Sequence, residues 1–176
     1  MNIYLIGYRG SGKTTIARQL ATMLWWNWLD ADPHLEQRAG KSIREIFEAE
    51  GEAGFREREA KTVVELSAYS QLVVALGGGV VLREENRDKL KTSGKCVWLK
   101  ASPELLWSRI HADPTTSERR PNLTSQGGLD EVRKLLAERT PLYEQCADFT
   151  VETDKRAPFA IATTIARWAE KELRLA

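Results

Sequence analysis

The chain has 176 residues, a formal net charge of +1 and 42% hydrophobic residues, which suits a single domain, residues 1–176, with a sizeable core. Its 29% charged residues and the lack of any apolar run of about 18 residues exclude a spanning helix, and the near-zero net charge argues against non-specific nucleic-acid binding. The apolar start at residues 3–6 lacks a basic leader, and Cys96 and Cys146 are too isolated for a disulfide framework, so we expect a cytoplasmic protein.

Short apolar runs alternate with amphipathic stretches along the chain. The apolar runs predict strands at residues 3–6, 28–30, 72–76, 96–99 and 149–151. The amphipathic stretches predict helices at residues 14–24, 33–39, 43–49, 54–69, 84–92, 103–110, 129–146 and 157–173. This alternation is typical of βαβ units, so the sequence predicts an α/β protein with a parallel sheet and helices on both faces.

The first predicted strand leads into residues 7–14, which match the pattern G-x-x-x-x-G-K-[ST] in full and open a helix. Glycines let backbone N–H groups curl round phosphate oxygens, and the helix N-terminus adds partial positive charge. A chance glycine-rich turn is the alternative, but pattern and context agree on a nucleoside triphosphate site. We expect Lys13 to reach the β- and γ-phosphates and the Thr14 hydroxyl to bind Mg²⁺. The predicted nucleotide-binding residues of the loop are Gly10, Ser11, Gly12, Lys13, Thr14 and Thr15.

Other motifs narrow the class of phosphate-loop protein. A switch GTPase carries D-x-x-G and N-K-x-D, and neither string occurs in the chain. A motor-type ATPase follows a later strand with a metal-binding acid, whereas the strand at 72–76 runs into Gly77-Gly78-Gly79. The sequence therefore predicts a small-molecule kinase whose metal-binding carboxylate comes from another segment.

That carboxylate is expected from Asp30-Ala31-Asp32, which follows the second strand at the edge where a parallel sheet binds ligands. On an extended segment the two side chains would point the same way. One carboxylate could then hold a Mg²⁺-bound water, while the other accepts a hydrogen bond from a substrate hydroxyl. The alternative is that Asp32 caps a helix starting at Pro33, which would leave Asp30 without a role.

Arginine is over-represented, with 16 Arg against 10 Lys, and this residue suits bidentate capture of phosphate or carboxylate. A solvated surface is the alternative explanation for most of them. Helical projection places Arg139 within the apolar arc of the helix at 129–146, and it places Arg56 and Glu59 on the apolar side of the helix at 54–69. The latter side also carries Phe55, Ala60, Val63, Val64 and Leu66.

An inward guanidinium needs an anionic partner, because an unpaired buried charge costs several kcal/mol or more. Arg56 could pair with Glu59, whereas Arg139 has no acidic neighbour on its own face. We therefore predict that Arg56 and Arg139 clamp a substrate carboxylate, beside backbone N–H groups of Gly77, Gly78 and Gly79. A structural ion pair and a flexible turn are the respective alternatives.

One stretch breaks the regular alternation. Residues 113–128 are rich in Thr, Ser, Arg, Pro and Gly and contain one large apolar residue, Leu123. A loop of this length inside a domain is usually a functional lid or disordered, and the Arg120-Pro121 pair favours a lid.

Taken together, these segments resemble the shikimate kinase family over nearly the whole chain. The resemblance implies a three-layer P-loop kinase fold of the nucleoside-monophosphate-kinase type, with a five-stranded parallel sheet, a substrate-binding helical region at about residues 32–70 and a lid at about 113–128. It implies Mg²⁺-dependent transfer of phosphate from ATP to the 3-hydroxyl of shikimate, giving 3-phosphoshikimate and ADP for aromatic amino-acid biosynthesis. The matching segments are residues 7–14, Asp30-Ala31-Asp32, Gly51-Glu52-x-x-Phe55-Arg56-x-x-Glu59, Gly77-Gly78-Gly79, Arg120-Pro121 and Arg139-x-Pro141-Leu142-Tyr143.

The resemblance also implies roles for individual residues. Asp32 orients the acceptor hydroxyl, with or without taking its proton, and Arg120 reaches the transferred phosphate when the lid closes, with Arg119 as a competitor. The implied catalytic residues are Lys13, Asp32 and Arg120, and the nucleotide-binding ones outside the loop are Arg109, Arg120 and Arg156. The implied substrate-binding residues are Asp32, Arg56, Gly77, Gly78, Gly79 and Arg139, and the implied metal site is Thr14 with Asp30 one water away.

Two features depart from the family pattern. Leu76 stands where many members have a threonine before the three glycines, so any hydroxyl help with the metal is absent there. The Trp25-Trp26-Asn27-Trp28 cluster is expected to serve packing with an exposed edge and carries no predicted chemistry. A monomer is expected, without nucleic-acid or membrane partners. A gluconate-type sugar-acid kinase and an ATP-binding regulatory module without turnover remain as alternatives.

Overall fold

The computed structural model describes residues 1–112 and 128–173 of the chain. Five strands pair in parallel to form one sheet, in the order β2-β3-β1-β4-β5. Strands β1 and β3, near its centre, are buried along their whole length, as expected when helices cover both faces. The strands are β1 (Asn2–Ile6), β2 (Asn27–Asp30), β3 (Leu72–Ala75), β4 (Gly94–Lys100) and β5 (Phe149–Glu152).

Helices lie on both faces of this sheet. The helices are α1 (Lys13–Leu24), α2 (Ala31–Ala39), α3 (Ile43–Ser67), α4 (Glu84–Ser93), α5 (Pro103–Ala112), α6 (Gly128–Cys146) and α7 (Pro158–Leu173), and a 3₁₀ turn spans Val80–Leu82. One core cluster joins α1 and α7 to the sheet, and a second joins α3, α4 and α6 to its other face. The predicted three-layer α/β architecture with a five-stranded parallel sheet is thus confirmed.

The register of the strands places the phosphate loop beside the other predicted site segments. Leu5 of β1 pairs with Ala75 of β3, and Ala75 in turn pairs with Asp30 of β2. The chain segments that follow β1, β2 and β3 therefore leave the sheet at one edge, which is where ligands bind in open parallel sheets.

The helix boundaries agree with the predictions to within about two residues. The stretches predicted as separate helices at 43–49 and 54–69 are contiguous in α3, but they are two helices divided at Gly51, whose φ of 67° and ψ of −173° are not helical. Ser42 and Glu45 form a capping box that fixes the start of this span. Helix α2 begins at Ala31, two residues earlier than predicted.

The tryptophan cluster behaves as expected only in part. Trp25 ends α1 in a left-handed conformation and is 94% exposed, so its side chain takes no part in packing. Trp26 packs against the core cluster on the α1 and α7 face, and Trp28 is partly exposed with the Arg18 guanidinium 5.1 Å from its ring centre. Among the helices of residues 1–112 and 128–173, none is long and apolar enough to cross a bilayer.

Candidate active site

The phosphate loop connects β1 to α1. A side chain at Gly7, whose φ is 139°, would place its Cβ 2.6 Å from the Leu99 carbonyl oxygen, so only glycine fits where the loop leaves the sheet. Gly12, with a φ of 89°, stands at the start of α1 and supplies no capping side chain, so the first N–H groups of the helix remain available to an anion.

Lys13 lies over this loop. Its Nζ donates to the carbonyl oxygens of Gly7 at 2.7 Å and Tyr8 at 2.8 Å, and it lies 3.3 Å from the Ser11 hydroxyl. The ammonium group is therefore positioned by the loop itself, above the backbone that would cradle phosphates. Thr14 and Thr15 follow in the first turn of α1, both exposed at the surface.

Thr14, Asp30 and Asp32 come together where β2 passes into α2. The Thr14 hydroxyl donates to Asp30 Oδ2 at 2.6 Å, and the Asp32 backbone N–H donates to Asp30 Oδ1 at 3.1 Å. Burial raises the pKa of Asp30, and the nearby Asp32 carboxylate raises it further, while the hydrogen bond from Thr14 opposes the shift. A site that holds two carboxylates and a hydroxyl, and that disfavours ionised Asp30, suits a divalent cation.

The geometry of this pair differs from the prediction. Asp30 caps α2, and Asp32 lies in the first turn of the helix rather than on an extended segment. The capping role considered for Asp32 therefore belongs to Asp30. The expectation that alternation along a strand aligns the two side chains is wrong, and the helix turn brings them together instead. Within the described ranges, no group of three or more His, Cys, Asp or Glu side chains is arranged to hold a metal.

Arg56 reaches inward from α3, as the projection predicts. Its Nη1 lies 2.6 Å from Glu59 Oε2 and its Nη2 3.3 Å from Glu52 Oε1, and its guanidinium lies 5.1 Å from the Phe55 ring centre. The Arg56 and Glu59 side chains are 11% and 8% exposed. The ion pair considered as an alternative is therefore present. The guanidinium also packs on Gly79, where a Cβ would lie 2.5 Å from Nη1.

The remaining members of that helix face follow the projection in part. Phe55, Val63 and Leu66 are buried, and Ala60 is half-buried. Val64, at the margin of the projected arc, is 56% exposed, so its predicted inward position is wrong.

Arg139 reaches the same place from α6 and is 7% exposed. Its Nη1 donates to the Gly78 carbonyl oxygen at 3.4 Å, and its guanidinium lies 5.5 Å from the Tyr8 ring centre. Among the side chains that the structure describes, no carboxylate lies within 4.0 Å of this guanidinium. A buried cation with a carbonyl and an aromatic ring as neighbours is suited to bind an anionic group.

Gly77, Gly78 and Gly79 are buried between the two arginines and the phosphate loop. A Cβ built on Gly78 would lie 3.2 Å from the Arg9 backbone nitrogen and 3.4 Å from the Gly7 carbonyl oxygen. The glycine segment after β3 therefore packs backbone to backbone against the phosphate loop, so an acceptor bound there would lie next to the nucleotide phosphates.

The three arginines predicted at the nucleotide site have different outcomes. Arg109 Nη1 donates to the Gly10 carbonyl oxygen at 3.2 Å, so the structure brings Arg109 to the phosphate loop. Arg156 instead contacts α7, with Nη2 2.6 Å from the Thr164 hydroxyl and 3.4 Å from the Ala160 carbonyl oxygen. Arg120, like all but the last residue of the predicted lid at 113–128, lies outside the described residues, and Gly128 begins α6.

Sequence reasoning missed one charged pair next to the site. Glu131, in the first turn of α6, is 3% exposed and its Oε1 lies 3.2 Å from Arg9 Nη2 in the phosphate loop. The helical spacing predicts that Glu131 points inward, because Glu131 precedes Leu135 and Arg139 by four and eight residues and so shares their side of the helix. The aromatic rings of Tyr8 and Tyr143, both buried beside Arg139, were also given no role.

A phosphate loop at the carboxyl edge of a five-stranded parallel sheet, with a buried glycine segment and inward arginines beside it, defines a P-loop small-molecule kinase. The family model described as shikimate kinase matches residues 9–170, and the chain belongs to the shikimate kinase family.

Individual relatives agree with this assignment. The chain is 45% identical to the shikimate kinase of Rhodopirellula baltica over 98% of this chain and 92% of that protein, and 43% identical to that of Burkholderia lata over 88% and 82%. The structure resembles Acinetobacter baumannii shikimate kinase in complex with shikimate, with a TM-score of 0.90, 38% identity and coverage of 97% and 93%. The Aquifex aeolicus enzyme gives a TM-score of 0.77 at 31% identity over both full chains. A gluconokinase from Sinorhizobium meliloti, at 16% identity and a TM-score of 0.60, shares the fold alone.

Proposed function

We propose that this protein transfers the terminal phosphate of ATP to the 3-hydroxyl of shikimate, giving 3-phosphoshikimate and ADP. One observation carries the proposal: the inward guanidinium groups of Arg56 and Arg139 flank the glycine segment that packs against the phosphate loop. Two cations there fit the single carboxylate of shikimate, and the adjacent loop fits the phosphates of ATP. Membership of the shikimate kinase family supports the same acceptor.

Phosphoryl transfer needs positioning and charge stabilisation more than covalent chemistry from the protein. The acceptor hydroxyl oxygen attacks the γ-phosphorus, the bond from that phosphorus to the bridging oxygen breaks, and ADP leaves. In this proposal Lys13 balances charge on the β- and γ-phosphates, and the first-turn N–H groups of α1 bind them. Asp32 holds the acceptor hydroxyl and receives its proton. Its position in the first turn of α2, hydrogen-bonded through its N–H to Asp30, supports that role.

The metal site is proposed at Thr14 and Asp30. The hydroxyl and the carboxylate are 2.6 Å apart, and the raised pKa of Asp30 reflects a buried negative site that a cation would stabilise. Bound Mg²⁺ would neutralise charge on the transferring phosphate. Thr14 would contribute its hydroxyl, and Asp30 would act through a bound water.

The outer parts of the site complete the proposal. Arg109, at the Gly10 carbonyl, is proposed to contact the nucleotide. Arg156, held at the Thr164 hydroxyl of α7, is proposed as a second nucleotide contact. Arg120 is proposed to reach the transferring phosphate from a lid at residues 113–128. A single domain with acceptor-binding helices at about residues 32–70 is part of the same proposal.

We also propose a monomer that works in the cytoplasm. Cys96 and Cys146 are free buried thiols whose Sγ atoms lie 3.6 Å apart, beyond the roughly 2.05 Å of a disulfide bond. This pair of unlinked cysteines is in keeping with a reducing compartment.

The test is ADP release by the purified protein with ATP, Mg²⁺ and a panel of acceptors: shikimate, gluconate and nucleoside monophosphates. Shikimate alone is expected to accelerate ADP release, with a product heavier than shikimate by one phosphoryl group in mass spectrometry. Acceleration by gluconate or by a nucleoside monophosphate instead would refute the proposed acceptor. ATP binding without acceleration by any acceptor would favour a regulatory module.

A further inference from the structure

Tyr143 has no role in the mechanism described above, although it lies one helical turn after Arg139 on α6. Its side chain is fully buried, and its hydroxyl donates a hydrogen bond to the Gly78 carbonyl oxygen. Arg139 donates to the same oxygen at the longer distance of 3.4 Å. Two side chains of one helix therefore share one acceptor atom in the glycine segment.

The Tyr143 ring is itself fixed in place. It stacks on Trp98 of β4 with ring centres 5.6 Å apart and an angle of 23° between the planes. Burial raises the pKa of Tyr143 above its ordinary value, so the hydroxyl keeps its proton at neutral and moderately alkaline pH. The hydroxyl is thus a permanent donor with little freedom to move.

The Gly78 peptide is held from its other side by the phosphate loop. The nearest atoms to a Cβ at Gly78 would be the Arg9 nitrogen at 3.2 Å and the Gly7 carbonyl oxygen at 3.4 Å. A peptide packed on one side and hydrogen-bonded on the other has one orientation, so the direction of the Gly79 N–H, which belongs to the same peptide as the Gly78 carbonyl, depends on the bond from Tyr143.

We propose that Tyr143 is a positioning residue for the acceptor. Its hydroxyl fixes the Gly78 peptide and, through the shared carbonyl oxygen, the Arg139 guanidinium, so that both are ordered before the acceptor binds. This inference rests on the proposed function, in which Arg139 and the glycine segment receive the shikimate carboxylate. Ordering these groups in advance removes an entropic cost that binding would otherwise bear.

The test is Tyr143→Phe, which removes one oxygen atom and keeps the ring on Trp98. Loss of this bond is expected to raise the KM for shikimate about tenfold, the size expected for a buried hydrogen bond whose acceptor is left poorly satisfied. The KM for ATP is expected to stay within about twofold and kcat within about threefold, since the groups on the phosphates are unchanged. Shikimate affinity measured by calorimetry is expected to fall by the same factor as KM rises.

The chain offers a matched control in Tyr4→Phe. Tyr4 is 1% exposed, and its hydroxyl bonds to Ser93 Oγ at 2.8 Å and Asn2 Nδ2 at 3.2 Å, at the opposite edge of the sheet. Both variants lose a buried tyrosine hydroxyl and similar stability. Tyr4→Phe is expected to leave the KM for shikimate unchanged.

The outcomes separate this inference from the proposed function. No turnover of shikimate by the unaltered protein overturns the proposed function. Normal turnover with an unchanged KM in Tyr143→Phe, or an equal rise in KM for both variants, overturns the role of Tyr143. If Tyr143→Phe does not fold, Trp98→Phe loosens the support of the same ring. A rise in shikimate KM there of about threefold supports the role, and an unchanged KM overturns it.

Discussion

Replacing Arg139 by alanine tests whether this arginine binds the acceptor carboxylate or only stabilises the fold. In the structure Arg139 is 7% exposed, with the Gly78 carbonyl at 3.4 Å and the Tyr8 ring at 5.5 Å as its neighbours. A hydrogen bond between charged groups contributes about 1.5–3 kcal/mol, so its loss is expected to raise the KM for shikimate between about 10-fold and 150-fold. The free energy of unfolding is expected to change by less than about 1 kcal/mol, because the contact with Tyr8 is worth about that much and a buried charge is removed with it.

Arg56→Ala is the informative comparison, because Arg56 does have a buried partner. Its removal leaves the Glu59 carboxylate, 8% exposed, without the guanidinium at 2.6 Å. Breaking a buried pair costs about 3–5 kcal/mol, so this variant is expected to lose stability as well as shikimate affinity. Steady-state kinetics and thermal unfolding of both variants provide the measurement.

Unchanged turnover with a lowered melting temperature in Arg139→Ala would show that this arginine stabilises the fold and that its proposed role in binding the acceptor carboxylate is wrong.

Three further changes test the other parts of the site. Lys13→Ala is expected to abolish phosphoryl transfer with an unchanged circular dichroism spectrum, and near-normal turnover would contradict the phosphate-loop assignment. Asp30→Asn is expected to raise the melting temperature at pH 7 to 8. Folding raises the pKa of Asp30, so this carboxyl stabilises the folded state at low pH, and that contribution is lost as the pH rises through the pKa of the folded state. The gain in melting temperature from Asp30→Asn is therefore expected to shrink on acidification, and a gain that does not depend on pH would argue against the buried charge. Mg²⁺-dependent activity of this variant is expected to be lost. Arg120→Ala is expected to lower kcat more than it weakens shikimate binding, and the reverse order would count against a role in the transition state.

The strands and the phosphate loop could be predicted from the sequence because each depends on local pattern. Residues 3–6 and 72–76 are short apolar runs that end at a glycine, which is typical of buried strands, and residues 7–14 match a motif whose geometry is set by its glycines. The inward positions of Arg56 and Arg139 followed from helical periodicity, which the burial of both side chains confirms.

Features that depend on tertiary contacts could not be predicted in the same way. The start of α2 depends on whether Asp30 or Asp32 caps it, and the sequence does not decide between them because both are aspartates, which suit the capping position. The partner of Arg9 is Glu131, 122 residues away, and only the packing of α6 against the phosphate loop brings the two together.

The contact of Gly78 with the phosphate loop has a consequence for redesign of the enzyme. Where two backbone segments are in contact, there is no side chain whose size a substitution could change. Even a methyl group at Gly78 would lie 3.2 Å from the Arg9 nitrogen. Substitutions therefore cannot change the distance between the phosphate donor and the phosphoryl acceptor in small steps, whereas side chains on the walls formed by α3 and α6 can be exchanged. New acceptors are best sought by exchanging side chains on those two helices while the glycine segment is left intact.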